Sequence, residues 1–508
     1  MEYRDYRFLG MTQSLCPQCM EVIPAKILDR GGRVYFRKRC PTHGVREDFV
    51  CSDVRWYDRN EHSVPARKPV QFGTTPDRGC PLDCGLCTEH EQHTCIGLVE
   101  LTEACNLTCP MCFAASAPGR RHVPLDDCLR AVDRLVEVEG RAEVLQLSGG
   151  EPTIAPHFAS VVRYAMEQPI DYVQVNTNGI RLATDAELVE FLAQFRHRLE
   201  IFFQLDGLTE TAGVALRGRE LLAVKLRALE RVGDAGLNVT LAVTLQAGVN
   251  EDQIGPLVQF AAERPFITAI NFQPATYSGR YALPDQLEQR VTFPDVIRAV
   301  ESQTDGMFQA KDFLPLPCAH PNCHQIAYAW RSPTGLVPMQ RMLDIENHID
   351  LLANGISFTR PAARKLVSEY LQRQACCGGS CSSDSKDTAA EPVAVVPATR
   401  MPGRRSEDGS RVDENGDGAL NAVAKDNAMP AADERLARDF IAATMAQRLG
   451  AKDMFRITIT SFLDAYNFDV RRVMKCCTHH VLPSGHVIPF CAYNTLYRPG
   501  HVPLPKIG

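Results

Sequence analysis

The sequence predicts an α/β protein: an open, partial (β/α)6 TIM-like barrel with a small N-terminal metal knuckle and a cysteine-rich C-terminal extension. Three observations carry this expectation. From residue 97 to about residue 275, six short β-rich runs alternate with segments of helical period, as repeated βα units feeding a parallel sheet do. The twenty cysteines fall in groups rather than scattering. At 508 residues the chain exceeds what one hydrophobic core serves, so several domains are expected.

Residues 1–60 read as the knuckle. Cys16-Pro-Gln-Cys19 and Cys40-Pro-Thr-His-Gly44 flank Gly32–Lys38, whose alternation suggests a β-hairpin, and the segment ends near Cys51. Cys16, Cys19, Cys40 and Cys51 supply four sulfurs for one tetrahedral ion, either zinc or a rubredoxin-like iron, which would hold together a segment with few apolar residues. Residues 61–96 form an auxiliary segment. Cys80, Cys84 and Cys87 have CxxxCxxC spacing, and Cys95 is available as a fourth ligand, so a closed auxiliary [4Fe–4S] cluster is expected, with zinc as the alternative.

The barrel core spans 97–310. Its expected strands are Leu98–Thr102, Val144–Ser148, Tyr172–Asn176, Ile201–Leu205, Val239–Leu245 and Ile270–Gln273. Between them, segments such as Leu125–Val138 and Glu187–Phe195 repeat apolar residues every three or four positions, as helices packed on a sheet do. Cys128 lies within the first and reads as a core residue.

The strongest chemical signal follows the first of these strands: Cys105-Asn-Leu-Thr-Cys109-Pro-Met-Cys112-Phe113. Three thiolates at this spacing can ligate three irons of a cubane and leave the fourth open, whereas zinc ribbons favour paired CxxC spacings and four protein ligands. Directly after the second strand comes Ser148-Gly149-Gly150-Glu151-Pro152, where glycines let backbone approach a ligand and Glu151 is a candidate to receive an ammonium group. Asn176 and Gln204 close the third and fourth strands, at the end of a barrel where ligands bind.

The remainder divides into an extension at 311–375, a linker or insertion at 376–433 and a terminal segment at 434–508. Cys318 and Cys323 are expected to join Cys491 and either Cys476 or Cys477 in a closed metal site that ties the chain's end to the barrel. A helical segment runs from about Ile345 to Gln374. The stretch after Cys376, Cys377 and Cys381 is rich in Ala, Asp, Ser, Gly and Pro and reads as disordered. Within it, Asp413–Gly418 resembles the start of a calcium loop, but the twelfth position is Ala424 and calcium binding is not expected.

Composition narrows the class. Net charge is −6, which gives no electrostatic reason to expect nucleic acid. With no basic-then-apolar N-terminus and no apolar stretch long enough to cross a bilayer, a cytoplasmic location is expected, with peripheral membrane contact left open. In a reducing compartment, cysteine groups argue for metal over disulfides.

The CxxxCxxC and GGEP motifs at successive strand ends resemble the radical S-adenosylmethionine (SAM) superfamily over about residues 95–280. The resemblance implies a [4Fe–4S] cluster on Cys105, Cys109 and Cys112, chelated by SAM, and SAM contacts at Gly149, Gly150, Glu151, Asn176 and Gln204. The implied chemistry is reductive SAM cleavage to methionine and a 5′-deoxyadenosyl radical, fed by a donor such as a ferredoxin or flavodoxin. Across most of the chain the cysteine pattern, including Pro317-Cys318-x4-Cys323 and the terminal CCxHH…PFCxYN, resembles the tetraether lipid synthase group, also labelled class D pterin methyltransferases. That resemblance implies carbon–carbon bond formation on lipid chains, aided by one or two auxiliary [4Fe–4S] clusters. The rival is methylation of a pterin-like small molecule, and outside enzymes a metal scaffold that only relays electrons. A long apolar groove would favour lipid, a compact polar pocket pterin.

Overall fold

A computed structural model describes residues 4–355, 360–376 and 431–507. Cys377, Cys381, the calcium-like segment and nearly all of the expected linker lie outside the described residues.

The N-terminal unit is a four-stranded antiparallel sheet in sequential order: β1 (Arg7–Leu15), β2 (Val22–Arg30), β3 (Arg33–Cys40) and β4 (Gly44–Cys51). The predicted hairpin is β2–β3, with Ala25 opposite Lys38 and Arg30 opposite Arg33. Alternation along β3 turns Val34, Phe36, Lys38 and Cys40 inward. Lys38 is wholly buried. Its Nζ pairs with Asp48 at 3.0 Å and donates to the carbonyls of Leu15, Ala465 and Tyr466. Thr12 adds a bond to Asp469 Oδ1 at 2.6 Å, so the sheet docks on the loop around Ala465.

The six expected strands are present, in the expected order and mutually parallel: β5 (Ile96–Glu100), β6 (Ala142–Ser148), β7 (Ile170–Thr177), β8 (Leu199–Gln204), β9 (Asn238–Leu245) and β10 (Ile267–Pro274). Helices cover their outer face. In α1 (Leu125–Glu139), Cys128, Ala131, Val132, Leu135 and Val138 form the buried stripe, and Gly140 at φ 69° ends the helix. Cys128 is a core residue, as expected.

The terminal segment contributes more than the sequence suggested. β14 (Met454–Thr460) adds in parallel to β10, and β15 (Thr478–Val481) adds in parallel to β5, so the last fifty residues extend both edges of the barrel sheet. β12 (His324–Ser332) then pairs antiparallel with β14. The chain between β14 and β15 therefore passes across the barrel's open side. The expected helix after Ile345 is two pieces, a short helical turn at Glu346–Leu352 and α8 (Arg360–Cys376). α8 packs with α9 (Ala431–Met445) around Val367, Ala437 and Phe440.

Candidate active site

Cys105, Cys109 and Cys112 lie in the loop between β5 and α1, at the C-terminal ends of the barrel strands. The loop is pinned at several points. Ala104 N–H donates to Thr102 Oγ1, Cys112 and Arg280 exchange backbone hydrogen bonds, and the Arg280 guanidinium donates to the carbonyls of Cys109 and Ser116. Gly149 and Gly150 set the loop's distance from the second strand end. A Cβ on Gly149 would meet Thr102 O at 2.2 Å, and one on Gly150 would meet Ala104 O at 2.1 Å. Gly149 also adopts φ 123°.

The three sulfurs border a cavity of about 230 Å³. Its wall includes Gly149, Gly150, Asn176 and Gln204, which the sequence singled out. It also includes Gln146, Arg217, Asn271 and His324, which it did not. On the far side, residues near the C-terminus close it: Phe462, Phe490, Cys491 and Asn494. Phe462 and Phe490 lie with ring centroids 4.4 Å apart, and Phe113 meets Phe490 edge-on at 5.2 Å.

The donor set fits an iron–sulfur cluster. Burial pushes the Cys105 thiol up to about 12 and raises Cys109, so these sulfurs lack what would make bare thiolates comfortable. Iron would supply it. A backbone donor, Leu107 N–H, already points at Cys105 Sγ at 3.4 Å, and the Arg217 guanidinium sits beside Cys109. Among the described residues no fourth cysteine lines the cavity next to this trio, apart from Cys491 on the opposite wall.

Glu151 is a correction. Its buried carboxylate accepts from Thr153 N–H and Oγ1, Thr177 Oγ1 and Asn178 N–H, all at 2.7–3.2 Å, and the side chain is absent from the cavity wall. Three of these donors meet Oε1 and one meets Oε2, so the carboxylate braces the second and third strand ends and stands back from the cavity wall. Asn176 does face the cavity, with its amide donating to Ser148 Oγ at 3.3 Å. Gln204 is held by Lys225, whose Nζ donates to the Gln204 carbonyl at 2.7 Å and to its side chain at 3.3 Å. Arg217 makes the strongest buried pair of the site, donating to both oxygens of Asp206 at 2.7 Å and to Thr244 Oγ1 at 2.8 Å. A lone Arg at a helix end carries no spacing signal, which is why the sequence did not reveal it.

The other cysteines regroup. In the N-terminal sheet, the tetrahedral set is Cys16, Cys19, Cys40 and His43, with all four ligand atoms within 4.8 Å of one another. Cys51 is not part of it. At the far end of β4 it is buried against the barrel, its thiol donating to Asp53 O at 3.5 Å, and His43 on the β3–β4 turn takes the fourth corner. Cys95 is also misplaced by sequence reasoning. It is buried with Cys318 and Cys477, away from Cys80, Cys84 and Cys87, because β15 pairs with β5 in the register Thr478 opposite Ile96. The Cys477 carbonyl accepts the Cys95 and Ile96 N–H groups at 2.9 and 3.0 Å. His93 Nε2 and His324 Nε2 lie 3.6 and 3.9 Å from Cys95 and Cys477. Cys323, Cys476 and Cys491, each partly buried, neighbour one another beside Arg472, whose Nε donates to Cys323 Sγ at 3.3 Å. Of the residues expected to share one closed site, Cys318 thus lies with Cys95 and Cys477, and Cys323 with Cys476 and Cys491, while Cys477 also neighbours Cys323 and Cys476. Cys84 is tied to the chain's end, its N–H donating to Tyr497 Oη at 3.0 Å.

Comparison with known proteins agrees with this site. The model of the radical SAM superfamily matches residues 99–261, and that of the HMPTM N-terminal zinc ribbon domain matches residues 8–52. Fold and site together define a radical SAM enzyme. A 7,8-dihydro-6-hydroxymethylpterin dimethyltransferase from Methanocaldococcus jannaschii is 30% identical over 519 aligned positions, covering 96% of this chain and 94% of that protein. The chain belongs to the family of that dimethyltransferase. Mycofactocin maturase MftC from Mycobacterium ulcerans is 33% identical over 32% of this chain and 42% of its own length. The crystal structure of SuiB from Streptococcus suis aligns with 42% of this chain and 46% of its own at a TM-score of 0.36 and 19% identity, too distant to bear on function. Among the described residues no helix is long and apolar enough to cross a membrane.

Proposed function

We propose that this chain is a radical SAM methyltransferase acting on a pterin-like heterocycle, with Cys105, Cys109 and Cys112 holding the [4Fe–4S] cluster. The observation that carries this reading is the cavity. It leads from those three cysteines to amides and hydroxyls such as those of Gln146, Asn176 and Thr244, set among apolar side chains that include Ile96, Leu98, Met111 and Phe490, and it is compact at about 230 Å³. A flat, hydrogen-bonding ring suits such walls. A lipid chain would call for a long apolar groove, so the carbon–carbon coupling expectation is the weaker reading. The name of the full-length relative supports the same choice.

When bound, the reduced cluster and SAM supply a one-electron cleavage that allows hydrogen to be taken from carbon. The chain's own residues bind and orient. Gly149 and Gly150 bring backbone to the ligand, and Asn176 and Gln204 offer polar contacts at strand ends. Arg217 sets positive charge beside Cys109. Phe462 and Phe490 face the substrate side and help exclude water. The groups Cys80/Cys84/Cys87, Cys95/Cys318/Cys477 and Cys323/Cys476/Cys491 are the candidates for auxiliary clusters. The Cys16/Cys19/Cys40/His43 set would hold zinc or iron, and a ferredoxin or flavodoxin would deliver electrons.

The test is anaerobic turnover of reconstituted, dithionite-reduced protein with SAM, offered either 7,8-dihydro-6-hydroxymethylpterin or lipid vesicles, with products read by mass spectrometry. Pterin gaining one or two methyl masses is the expected result. Unchanged pterin together with covalently joined lipid chains would overturn the proposal.

A further inference from the structure

The barrel strands carry a polar ladder that no strand of an ordinary apolar core would hold. Gln146 on β6, Gln174 on β7 and Glu200 on β8 sit directly opposite one another in register. Gln146 Nε2 donates to Gln174 Oε1 at 3.1 Å, and Gln174 Nε2 donates to Glu200 Oε2 at 2.8 Å. Thr240 Oγ1 and Thr268 Oγ1 both reach Glu200 Oε1, at 2.6 and 3.1 Å. Gln146 and Gln174 are buried, and of the three only Gln146 lines the cavity.

The direction of this chain follows from its end. A carboxylate accepts and does not donate, so the Gln174 amide must turn its NH2 toward Glu200. Its oxygen then faces Gln146, which must present its own NH2 in turn. The amide of Gln146 is thereby fixed with its nitrogen engaged, leaving Oε1 as the group without a protein donor among the described residues. Glutamine is otherwise ambivalent, and here its ambivalence is removed two residues away.

We infer that Gln146 is a specificity-determining residue whose Oε1 accepts from the N–H donor edge of a bound heterocycle, and that Glu200 is a positioning residue acting through Gln174. The inference rests on the heterocycle reading above. The fitting ligand class is a 2-amino-4-oxo-pyrimidine fused ring, whose adjacent 2-amino and ring N–H groups form a donor edge. A ring offering only acceptors there would face Gln146 Oε1 with like polarity.

The experiment is equilibrium binding without reductant, so that no turnover occurs. Full-length, metal-loaded protein is titrated by fluorescence with 7,8-dihydro-6-hydroxymethylpterin and with its 2-dimethylamino analogue, which lacks the amino donors. Wild type is expected to prefer the amino compound by about 10- to 100-fold, the range for leaving a buried polar group unpaired. Gln146→Leu loses that preference, and Glu200→Gln shrinks it severalfold with the melting temperature near wild type. If wild type discriminates and Gln146→Leu discriminates equally, the assignment of Gln146 is overturned while the heterocycle reading stands. If wild type binds neither compound, both fall.

Discussion

Replacing Arg217 by methionine should loosen the floor beneath the cysteine loop by a calculable amount. The guanidinium gives two hydrogen bonds to Asp206 and one to Thr244 Oγ1, and reaches the Met111 carbonyl at 3.4 Å. Burial acts to raise the Asp206 carboxyl, and the Arg217 charge beside it overrides this, so Asp206 titrates below the usual carboxylate range. Methionine fills much of the space and removes the charge. What remains is a carboxylate 3% exposed, keeping the Thr244 N–H at 3.0 Å and the attraction of nearby Lys225. Breaking one side of a buried pair costs about 3–5 kcal/mol. The surviving donor and Lys225 place this case near the lower end, about 3 kcal/mol, or a local opening more than about a hundredfold more frequent. Anaerobic hydrogen exchange reads this directly in peptides spanning Cys109–Phe113 and Gln204–Thr209. Adding Asp206→Asn should restore about half of the lost protection, because the stranded charge is then gone. Protection unchanged in Arg217→Met, or a double variant no better than the single one, would refute the reasoning.

The metal assignment in the N-terminal sheet separates two neighbouring residues. His43→Ala should lose about one equivalent of zinc or iron per chain by elemental analysis, whereas Cys51→Ala should retain it and lose only core packing, about 1–2 kcal/mol. His480 gives a pH prediction. Burial holds this imidazole down to about 3, against Glu100, which acts to raise it. The folded state keeps His480 neutral while the unfolded chain protonates it near pH 6.5, so its contribution to stability is full above that pH. It is lost as pH falls toward 3, by up to about 5 kcal/mol. His480→Phe keeps an aromatic ring on Phe490, where the two rings stack at 5.1 Å, and should show a flatter fall in melting temperature, so that wild type minus variant becomes more negative from pH 6.5 to 4.5.

Much of the barrel was legible because each βα unit is local. Apolar β-rich runs, helical stripes such as that of α1, and motifs at strand ends are all written within about thirty residues of one another. Contacts across the whole chain were not. Nothing in Met454–Thr460 or Thr478–Val481 says that these strands flank β10 and β5, yet that pairing brings Cys477 to Cys95 and Phe490 to the cavity. Counting sulfurs favours Cys51 over His43, whereas the β3–β4 turn is what brings the imidazole to the other three ligands. The polar ladder did have a signal: Gln146, Gln174 and Glu200 each stand between apolar neighbours within their strands. Its meaning depends on register, which places the three side by side. Glu151 shows the converse, a motif residue whose type suggests a ligand contact and whose carboxylate is engaged by donors at two strand ends.

The central claim is that Cys105, Cys109 and Cys112 hold a cluster with one iron open to SAM. Electron paramagnetic resonance of the reduced, reconstituted protein with and without SAM, followed by assay of 5′-deoxyadenosine, tests it most directly. A cluster signal that SAM perturbs, with 5′-deoxyadenosine formed, and both lost in Cys105→Ala while the remaining iron persists, is the predicted result. A signal indifferent to SAM in fully loaded protein, or one that survives Cys105→Ala unchanged, would contradict it.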